Sequence, residues 1–252
     1  MQLVDRSTRR NRLSDVGREF YDVAHGVLRE LDRALEHIDD LRRLRRGIVR
    51  VATPQLMAST LMPAAVAAFN RTHPQIEVYL ADCPVEEVIK RVVMGQVDFG
   101  IGPQRSVPGA LTTTPFIASP FIAVFPDGHP LQRLKQVRWQ DLARYPLILL
   151  KGEFADQLGR DLFEAVDPDA IRPRHEVTFM STALSLVNAG MGVSACLPYA
   201  QPLIDLYRLQ ARPLVEPEVR RHFFIYTRRY AHLSPAAEVF LSALRAGATG
   251  YL

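Results

Sequence analysis

The sequence predicts an α/β protein in which two lobes follow one long N-terminal helix. Beyond Gly47, apolar segments of strand length alternate with amphipathic segments of helix length, and the connections between them are short. Before Gly47, apolar residues recur every 3.5 residues over three heptads, which is typical of a helix that packs against another helix. A chain of 252 residues is long enough for two lobes and such a helix.

Composition limits the location of the protein. Apolar residues make up 48% of the chain and charged residues 23%, which is ordinary for a globular protein. No apolar run reaches the roughly 18 residues of a membrane span, and charged residues interrupt every candidate signal peptide. The two cysteines, Cys83 and Cys196, lie far apart and fit a reducing compartment. We therefore expect a cytoplasmic protein without a membrane partner.

A basic cluster opens the chain and holds most of the net charge of +4. Its members are Arg6, Arg9, Arg10 and Arg12. Such a cluster is typical of contacts with a DNA backbone, and a solvated tail explains it equally well.

The N-terminal helix is expected to begin after Ser14, whose hydroxyl can cap it, and to end in the basic run before Gly47. Its apolar seam consists of Phe20, Ala24, Val27, Leu31, Ala34, Ile38 and Leu41. A helix that packs only on its own domain usually shows a wider apolar face. The narrow seam therefore indicates dimerisation, and an amphipathic surface helix is the alternative.

Strands and helices then alternate to the end of the chain. The first unit comprises the strand IVRVATP, the helix STLMPAAVAAFNRTHP, the strand IEVYLADCP, the helix VEEVIKRVVMGQ and the strand VDFGIGP. The second comprises the strands PFIAVFP and PLILLK, a helix over 157–166, the strand EVTF, the helix STALSLVNAGMG, the strand VSACLP, the strand HFFIYTRR and the helix SPAAEVFLSALRAG. This alternation predicts βαβ units with parallel strands, whose carboxyl ends and adjoining helix N-termini bind ligands.

Motifs for catalysis are missing from the sequence. We find no G-x-S-x-G elbow, no G-x-x-x-x-G-K loop, and no metal-ligand spacing among the seven histidines. The glycines of GMG at 190–192 follow a helix, so we interpret them as a helix-to-strand turn. We expect no catalytic residue, no metal, no cofactor and no enzymatic activity.

Several stretches, in order, resemble the LysR-type transcriptional regulators, bacterial DNA-binding proteins with a C-terminal effector-binding domain. LVDRSTRRNRLSDVGREF resembles the segment that closes the family's winged helix-turn-helix, although Ser14 replaces the usual Thr and Val16-Gly17 the usual Ala-Gly. The other stretches are GIVRVATP with LMPAAVAAFNRTHPQIEV, then GQVDFGIG, DGHPL and LVNAGMGVSACLP. The resemblance covers essentially the whole chain.

The resemblance implies an α/β fold with an N-terminal coiled-coil linker helix and a two-lobed, periplasmic-binding-protein-like effector domain. The implied domains are a remnant of the winged helix-turn-helix (1–13), the linker and dimerisation helix (14–46), the first lobe (47–121 plus 224–252) and the second lobe (122–223). Because the helices that read DNA bases would precede Met1, we expect this chain to lack them.

The resemblance also implies an effector site between the lobes. Its expected residues are Thr53, Pro54, Gln55, Leu56, Met57, Gly102, Pro103, Gln104, Thr178, Phe179, Ser181 and Thr182. Helix N-termini at these places suit an anion. Pro54, Leu56 and Met57 carry no side-chain donor, and Phe179 replaces a small polar residue, so we expect a partly apolar organic acid, with an inorganic anion as the alternative. Alternatively, Leu56 and Met57 point into the lobe core. Two cations, Arg105 and Lys151, would add charge at the rim or are plain surface.

The implied partners are this small-molecule effector, DNA in the full-length protein, and further copies of the chain in a dimer or tetramer, with RNA polymerase as another candidate. One alternative is a periplasmic-type solute-binding protein without a role on DNA, which shares the lobes. The missing secretion signal and the seam helix argue against it. An α/β enzyme is the other alternative, and the missing catalytic motifs argue against that.

Overall fold

The computed structural model describes residues 3–7, 10–43, 47–162 and 171–247. Strands β1 (Val4–Ser7) and β2 (Arg10–Leu13) form an antiparallel hairpin, which helix α1 (Asp15–Arg43) follows. The Ser14 hydroxyl accepts a hydrogen bond from the backbone N–H of Gly17 at 2.9 Å, so the predicted helix cap is confirmed.

The structure describes only some of the N-terminal residues that are predicted to contact DNA or to form the seam. Arg9 lies outside them, as do the side chains of Arg6, Arg10, Arg12, Ala34, Ile38 and Leu41. Of the described seam residues, Phe20, Val27 and Leu31 are each more than half exposed. The chain's own lobes therefore leave this part of the seam open.

Six elements build the part of the chain that follows α1. They are β3 (Gly47–Pro54), α2 (Gln55–Thr72), β4 (Ile76–Cys83), α3 (Val85–Val93), β5 (Phe99–Pro103) and β6 (Leu111–Pro120). Helix α2 begins four residues earlier than predicted, directly after Pro54. Pro54 has the extended conformation that precedes a helix (φ −56°, ψ 143°), and Gln, Leu and Met favour the first turn.

Twelve strands and α-helices are described in the second half of the chain. They are β7 (Ile122–Phe125), β8 (Val137–Arg138), α4 (Trp139–Leu142), β9 (Leu147–Leu150), α5 (Glu153–Leu162), β10 (His175–Val177), α6 (Met180–Asn188), β11 (Val193–Cys196), α7 (Gln201–Leu206), β12 (Gln210–Val215), β13 (Arg220–Arg228) and α8 (Pro235–Gly247). Residues 163–166 of the helix predicted over 157–166 lie outside the described residues.

Two sheets define two lobes, so the predicted two-lobed α/β class is confirmed. The first lobe holds the five-stranded sheet β4-β3-β5-β13-β6, and the second lobe holds the six-stranded sheet β10-β9-β11-β7-β12-β8. Strand β3 pairs parallel with β4 and β5, and β9 pairs parallel with β10 and β11, as predicted. The prediction of parallel strands is wrong for β7 and β13, the strands that follow the two crossings between the sheets, because both run antiparallel to their neighbours.

The crossing divides a segment that the sequence presents as one strand. PFIAVFP is predicted as a single strand, but β6 ends at Pro120 in the first sheet and β7 begins at Ile122 in the second. Phe121, between them, is buried, and its N–H donates to the carbonyl oxygen of Val219 on the returning crossing. The two crossings are thus joined side by side.

Close packing fixes α3 against the first sheet. A Cβ on Gly100 in β5 would lie 2.8 Å from side-chain methyls of both Val88 and Val92. The helix therefore sits directly on the strand, and only glycine allows this approach. As a result, the start of α3 is held at the carboxyl edge of the sheet.

Candidate functional site

A cavity of about 70 Å³ lies between the two lobes and is called the interlobe cavity below. Its first-lobe lining consists of Pro54, Gln55, Leu56, Cys83, Pro84, Val85, Glu86, Phe223 and the crossing residue Phe121. Its second-lobe lining consists of Leu150, Lys151, Thr178, Phe179, Met180, Cys196, Leu197 and Tyr199. Apolar side chains predominate, so the cavity suits a ligand with an apolar body.

Three helices begin at the interlobe cavity. Helices α2, α3 and α6 start after Pro54, Pro84 and Phe179, and none of these residues caps its helix with a side-chain hydrogen bond. The first-turn N–H groups of a helix have no intrahelical acceptor, and the helix dipole makes that end positive. The starts of α2 and α6 therefore present positive helix ends to a ligand, which favours an anion, whereas the first turn of α3 carries the carboxylates of Glu86 and Glu87.

The two lobes touch across the cavity through a polar contact. The hydroxyl of Ser181 in α6 donates to the Oε1 atom of Gln55 in α2, and the distance between the oxygens is 3.3 Å. Both residues belong to the first turn of their helices. The contact closes one side of the cavity and must loosen when the lobes separate.

Charged side chains lie at the rim. Lys151 of the second lobe is exposed and lines the cavity. Glu86 also lines it, and the Arg105 guanidinium pairs with the Glu86 carboxylate at 3.3 Å. Arg105 thus offsets the charge of Glu86, and Lys151 supplies a cation to the rim.

Burial holds the two thiols and the tyrosine hydroxyl in the cavity wall neutral. Desolvation raises the pKa of Cys83 to about 11 and that of Cys196 to about 12, and it also raises the pKa of Tyr199. A neutral thiol is a poor nucleophile. The cavity wall is therefore suited to binding and unsuited to nucleophilic attack.

The structure separates the predicted site residues into groups. Pro54, Gln55, Leu56, Thr178 and Phe179 line the interlobe cavity. The described lining does not include Ser181, whose hydroxyl donates to the lining residue Gln55. Gln104 lines a different cavity. Thr53 and Met57 are fully buried, Met57 within the hydrophobic core. The described lining does not include Gly102, Pro103 or Thr182.

Several lining residues were not predicted. Pro84, Val85 and Glu86 start α3 after strand β4, just as Pro54 and Gln55 start α2 after β3. The two sequences, VATPQLM and LADCPVEE, share the order strand, proline, helix, and this signal could have identified the second helix start. Phe121 and Phe223 belong to the crossings, whose position depends on tertiary packing.

The two sheets define a two-lobed α/β domain of the periplasmic-binding-protein type, with a cavity between the lobes. Residues 42–249 match the family described as LysR substrate binding domain. The chain is 31% identical over 244 residues to the uncharacterized HTH-type transcriptional regulator YbhD of Escherichia coli (strain K12), and the match covers 97% of this chain and 77% of YbhD. The chain belongs to the LysR family of transcriptional regulators.

Solved structures of the family share the fold at low identity. The effector binding domain of QuiR in complex with shikimate matches with a TM-score of 0.68 and 20% identity, over 82% of this chain and 100% of that one. Full-length CbnR in complex with its target DNA matches with a TM-score of 0.69 and 19% identity, over 98% of this chain and 84% of that one.

Family membership decides between the alternatives from the sequence. The relatives are transcriptional regulators, which favours a regulator over a solute-binding protein and over an enzyme. Of the helices in the described parts of the chain, none combines the length and hydrophobicity that crossing a bilayer requires.

Proposed function

We propose that the interlobe cavity binds a small, partly apolar organic acid, and that this ligand is the effector of a DNA-binding regulator. The observation that carries the proposal is the convergence of two uncapped helix N-termini, those of α2 and α6, on an apolar cavity. Free N–H groups and positive helix ends stabilise a carboxylate. The apolar wall around them would contact the body of the ligand.

The two ends of the ligand would meet different parts of the wall. A carboxylate would lie between the first turns of α2 and α6, where Gln55 and Thr178 add polar side chains. The organic body would lie against Leu56, Phe179 and Phe223. Aromatic rings suit this surface because aromatic side chains pack well against rings. Lys151 would add attraction at the rim.

Binding would be coupled to movement of the lobes. At about 70 Å³ the cavity is far smaller than the roughly 300–1,000 Å³ typical of ligand pockets. The Gln55–Ser181 contact would therefore break as the lobes part, and the lobes would close again on the ligand. Through such a change in the arrangement of the lobes, effector binding can alter DNA binding by the full-length protein.

The N-terminal segment would supply dimerisation and DNA contacts. The exposed seam residues Phe20, Val27 and Leu31 of α1 would pack against the same helix of a second copy, as a coiled coil. The arginine-rich β1–β2 hairpin would contact DNA phosphates in the full-length, cytoplasmic protein. We also propose the domain boundaries that the sequence predicts. The first lobe would span 47–121 plus 224–252, and the second lobe would span 122–223.

A thermal-shift comparison of matched ligands tests the effector proposal. Benzoate should raise the melting temperature of this chain with concentration, because a ligand that binds only the folded state stabilises it, by about 2.7 kcal/mol at a hundredfold excess over Kd. Benzamide has the same ring without the charge and should give little shift. Sulfate, an inorganic anion, should also give less.

Variants locate the binding. Phe179→Glu places a carboxylate at the start of α6 and should abolish the benzoate shift. Val239→Glu introduces the same charge on the exposed face of α8 and should preserve the shift. Equal shifts with benzoate and benzamide, or a full shift in Phe179→Glu, would contradict the proposal. A shift in melting temperature with sulfate alone would indicate that the effector is an inorganic anion and not an organic acid.

A further inference from the structure

A second cavity, of about 780 Å³, opens beside the crossings between the lobes. It is called the hinge crevice below and is lined by Gln104–Ser106 of the first lobe, by Gln157, Arg160 and Asp161 of α5, and by Pro217–His222 on the returning crossing. It shares no lining residue with the interlobe cavity. Its volume falls within the range typical of small-molecule sites.

The lining of the hinge crevice is strongly basic. Of its described lining residues, arginines 105, 160, 220 and 221 are basic, whereas Asp161 and Glu218 are acidic. Arg220 pairs with Glu218 at 2.8 Å, and Arg105 pairs with Glu86, which lies outside the crevice. A concave surface with an excess of one charge focuses the field and attracts ions of the opposite sign.

Arg160 and Arg221 are both linked to the Asp161 carboxylate, Arg221 directly and Arg160 through Gln157. The Arg221 side chain is 8% exposed, and its Nη1 atom donates to Asp161 Oδ2 at 3.1 Å. Gln157 donates to the other oxygen, Oδ1, at 2.7 Å, and Arg160 donates to the Gln157 amide oxygen at 2.8 and 3.1 Å. Arg160 thus reaches Asp161 only through a neutral amide.

The charge of Arg160 disfavours the charged form of Arg221. Burial lowers the pKa of Arg221, Asp161 raises it, and the charge of Arg160 lowers it further. An anion bound between these groups would offset their repulsion. Guanidinium groups are well matched to such a ligand because they donate two parallel hydrogen bonds to carboxylate or phosphate.

We propose that the hinge crevice is a second ligand site, for a compact anion with two or more negative charges, held by Arg160 and Arg221. Phosphate and small di- or tricarboxylates share this chemistry. The ligand would join α5 of the second lobe to β13 of the first. The Arg221 guanidinium also lies 5.5 Å from the centroid of the Phe121 ring, and Phe121 lines the interlobe cavity. The two sites therefore share a wall.

Titration with inorganic phosphate and with citrate, at constant ionic strength set by chloride, tests the proposal. Isothermal calorimetry or the melting temperature should show saturable binding for at least one of these two probes. Arg160→Ala should weaken that binding at least tenfold, and Arg160→Lys should weaken it less. Arg160 is exposed, so these variants should fold. Arg133→Ala removes an exposed arginine outside the crevice and should bind as the wild type does.

A further variant separates the two sites. Phe179→Glu alters the interlobe cavity and should leave phosphate and citrate binding unchanged, even if the effector proposal fails. Three results would overturn the hinge site: no saturation with either probe beyond that of chloride, equal weakening by Arg133→Ala and Arg160→Ala, or loss of probe binding in Phe179→Glu. Stronger binding of citrate than phosphate would assign the site to carboxylates, and the reverse order would assign it to phosphates.

Discussion

Ser181 and Gln55 bring two helix N-termini face to face, with 3.3 Å between the Ser181 hydroxyl and Gln55 Oε1. The two positive helix ends repel each other, and the hydrogen bond between these side chains opposes that repulsion. An anion between the same helices would remove the repulsion altogether. The closed arrangement of the lobes is therefore expected to be weak without a ligand and firm with one.

Replacing Ser181 should open the interlobe cavity more often. A neutral hydrogen bond contributes about 1 kcal/mol, so Ser181→Ala should raise the population of open molecules about fivefold. The thiols of Cys83 and Cys196 report this opening because both line the cavity and are buried. Their reaction rate with a thiol reagent such as DTNB at pH 8 should rise by that factor.

Ser185→Ala is the matched control for this experiment. The Ser185 hydroxyl bonds within the second lobe, to the Ser181 carbonyl at 2.9 Å and to the Tyr207 hydroxyl at 3.1 Å. Its loss should leave the thiol rate unchanged. Equal rates in both serine variants would show that the interlobe hydrogen bond does not hold the lobes together.

Gly192→Ala should destabilise the second lobe. Gly192 has a φ of +156°, and a Cβ there would lie 2.1 Å from the carbonyl oxygen of Pro146. Because backbone must move to admit the methyl group, the free energy of unfolding should fall by about 2–3 kcal/mol in urea titrations. Gly190→Ala, at φ +75° with open space, should cost only about 1 kcal/mol. A similar cost for both variants would rule out the contact with Pro146 as the cause.

A charge in the seam should prevent dimerisation. Leu31→Glu would place a carboxylate in the exposed apolar seam of α1, and the double change with Ile38→Glu should act more strongly. Light scattering should then give the monomer mass, while the circular dichroism of the lobes stays unchanged. Asp22→Lys changes a charge on the same helix outside the seam and should leave the mass as in the wild type. An unaltered mass in the double variant would argue against a coiled-coil dimer.

Stability should depend on pH through Asp141. A hydrogen bond and ion pair with Arg138, at 2.8 Å, lower the pKa of Asp141. Its stabilisation is therefore present above the ordinary aspartate pKa of about 3.9 and is lost as the pH falls through the lower pKa of the folded state. Asp141→Asn should cost under about 1 kcal/mol at pH 7, because Arg138 is half exposed.

The pH profile of unfolding provides the check. The difference between wild type and Asp141→Asn should shrink steadily below pH 4. Arg138→Ala should show the same profile, and the double variant should lose nothing more. A difference that persists at low pH would mean that Asp141 acts through something other than its charge.

Local sequence signals predicted the elements that local interactions determine. The Ser14 cap, the strand β3 and the turn at 190–192 follow from residue chemistry within a few positions, and the structure contains all three. The GMG glycines of that turn have positive φ values, which other residues rarely adopt.

Elements that depend on distant contacts could not be predicted from the sequence. Strands β6 and β12 and the division at Phe121 exist because the chain changes sheets, and no local pattern marks that choice. The hinge crevice could not be predicted for the same reason, since its arginines come from segments more than 50 residues apart, at 105, 160 and 220–221. Of the proposed effector residues, the helix start at Pro54 could be anticipated, whereas the contribution of Tyr199 and Phe223 required the packing of both lobes.

The position of β13 has a consequence for synthesis of the protein. This strand lies between β5 and β6, so the first sheet remains two unconnected pieces until residues 220–228 have left the ribosome. The second sheet uses only strands from 122 to 215 and can be completed earlier. The lobe that begins second should therefore finish folding first, and a chain stopped near residue 215 should contain one folded lobe and one exposed, aggregation-prone half-sheet.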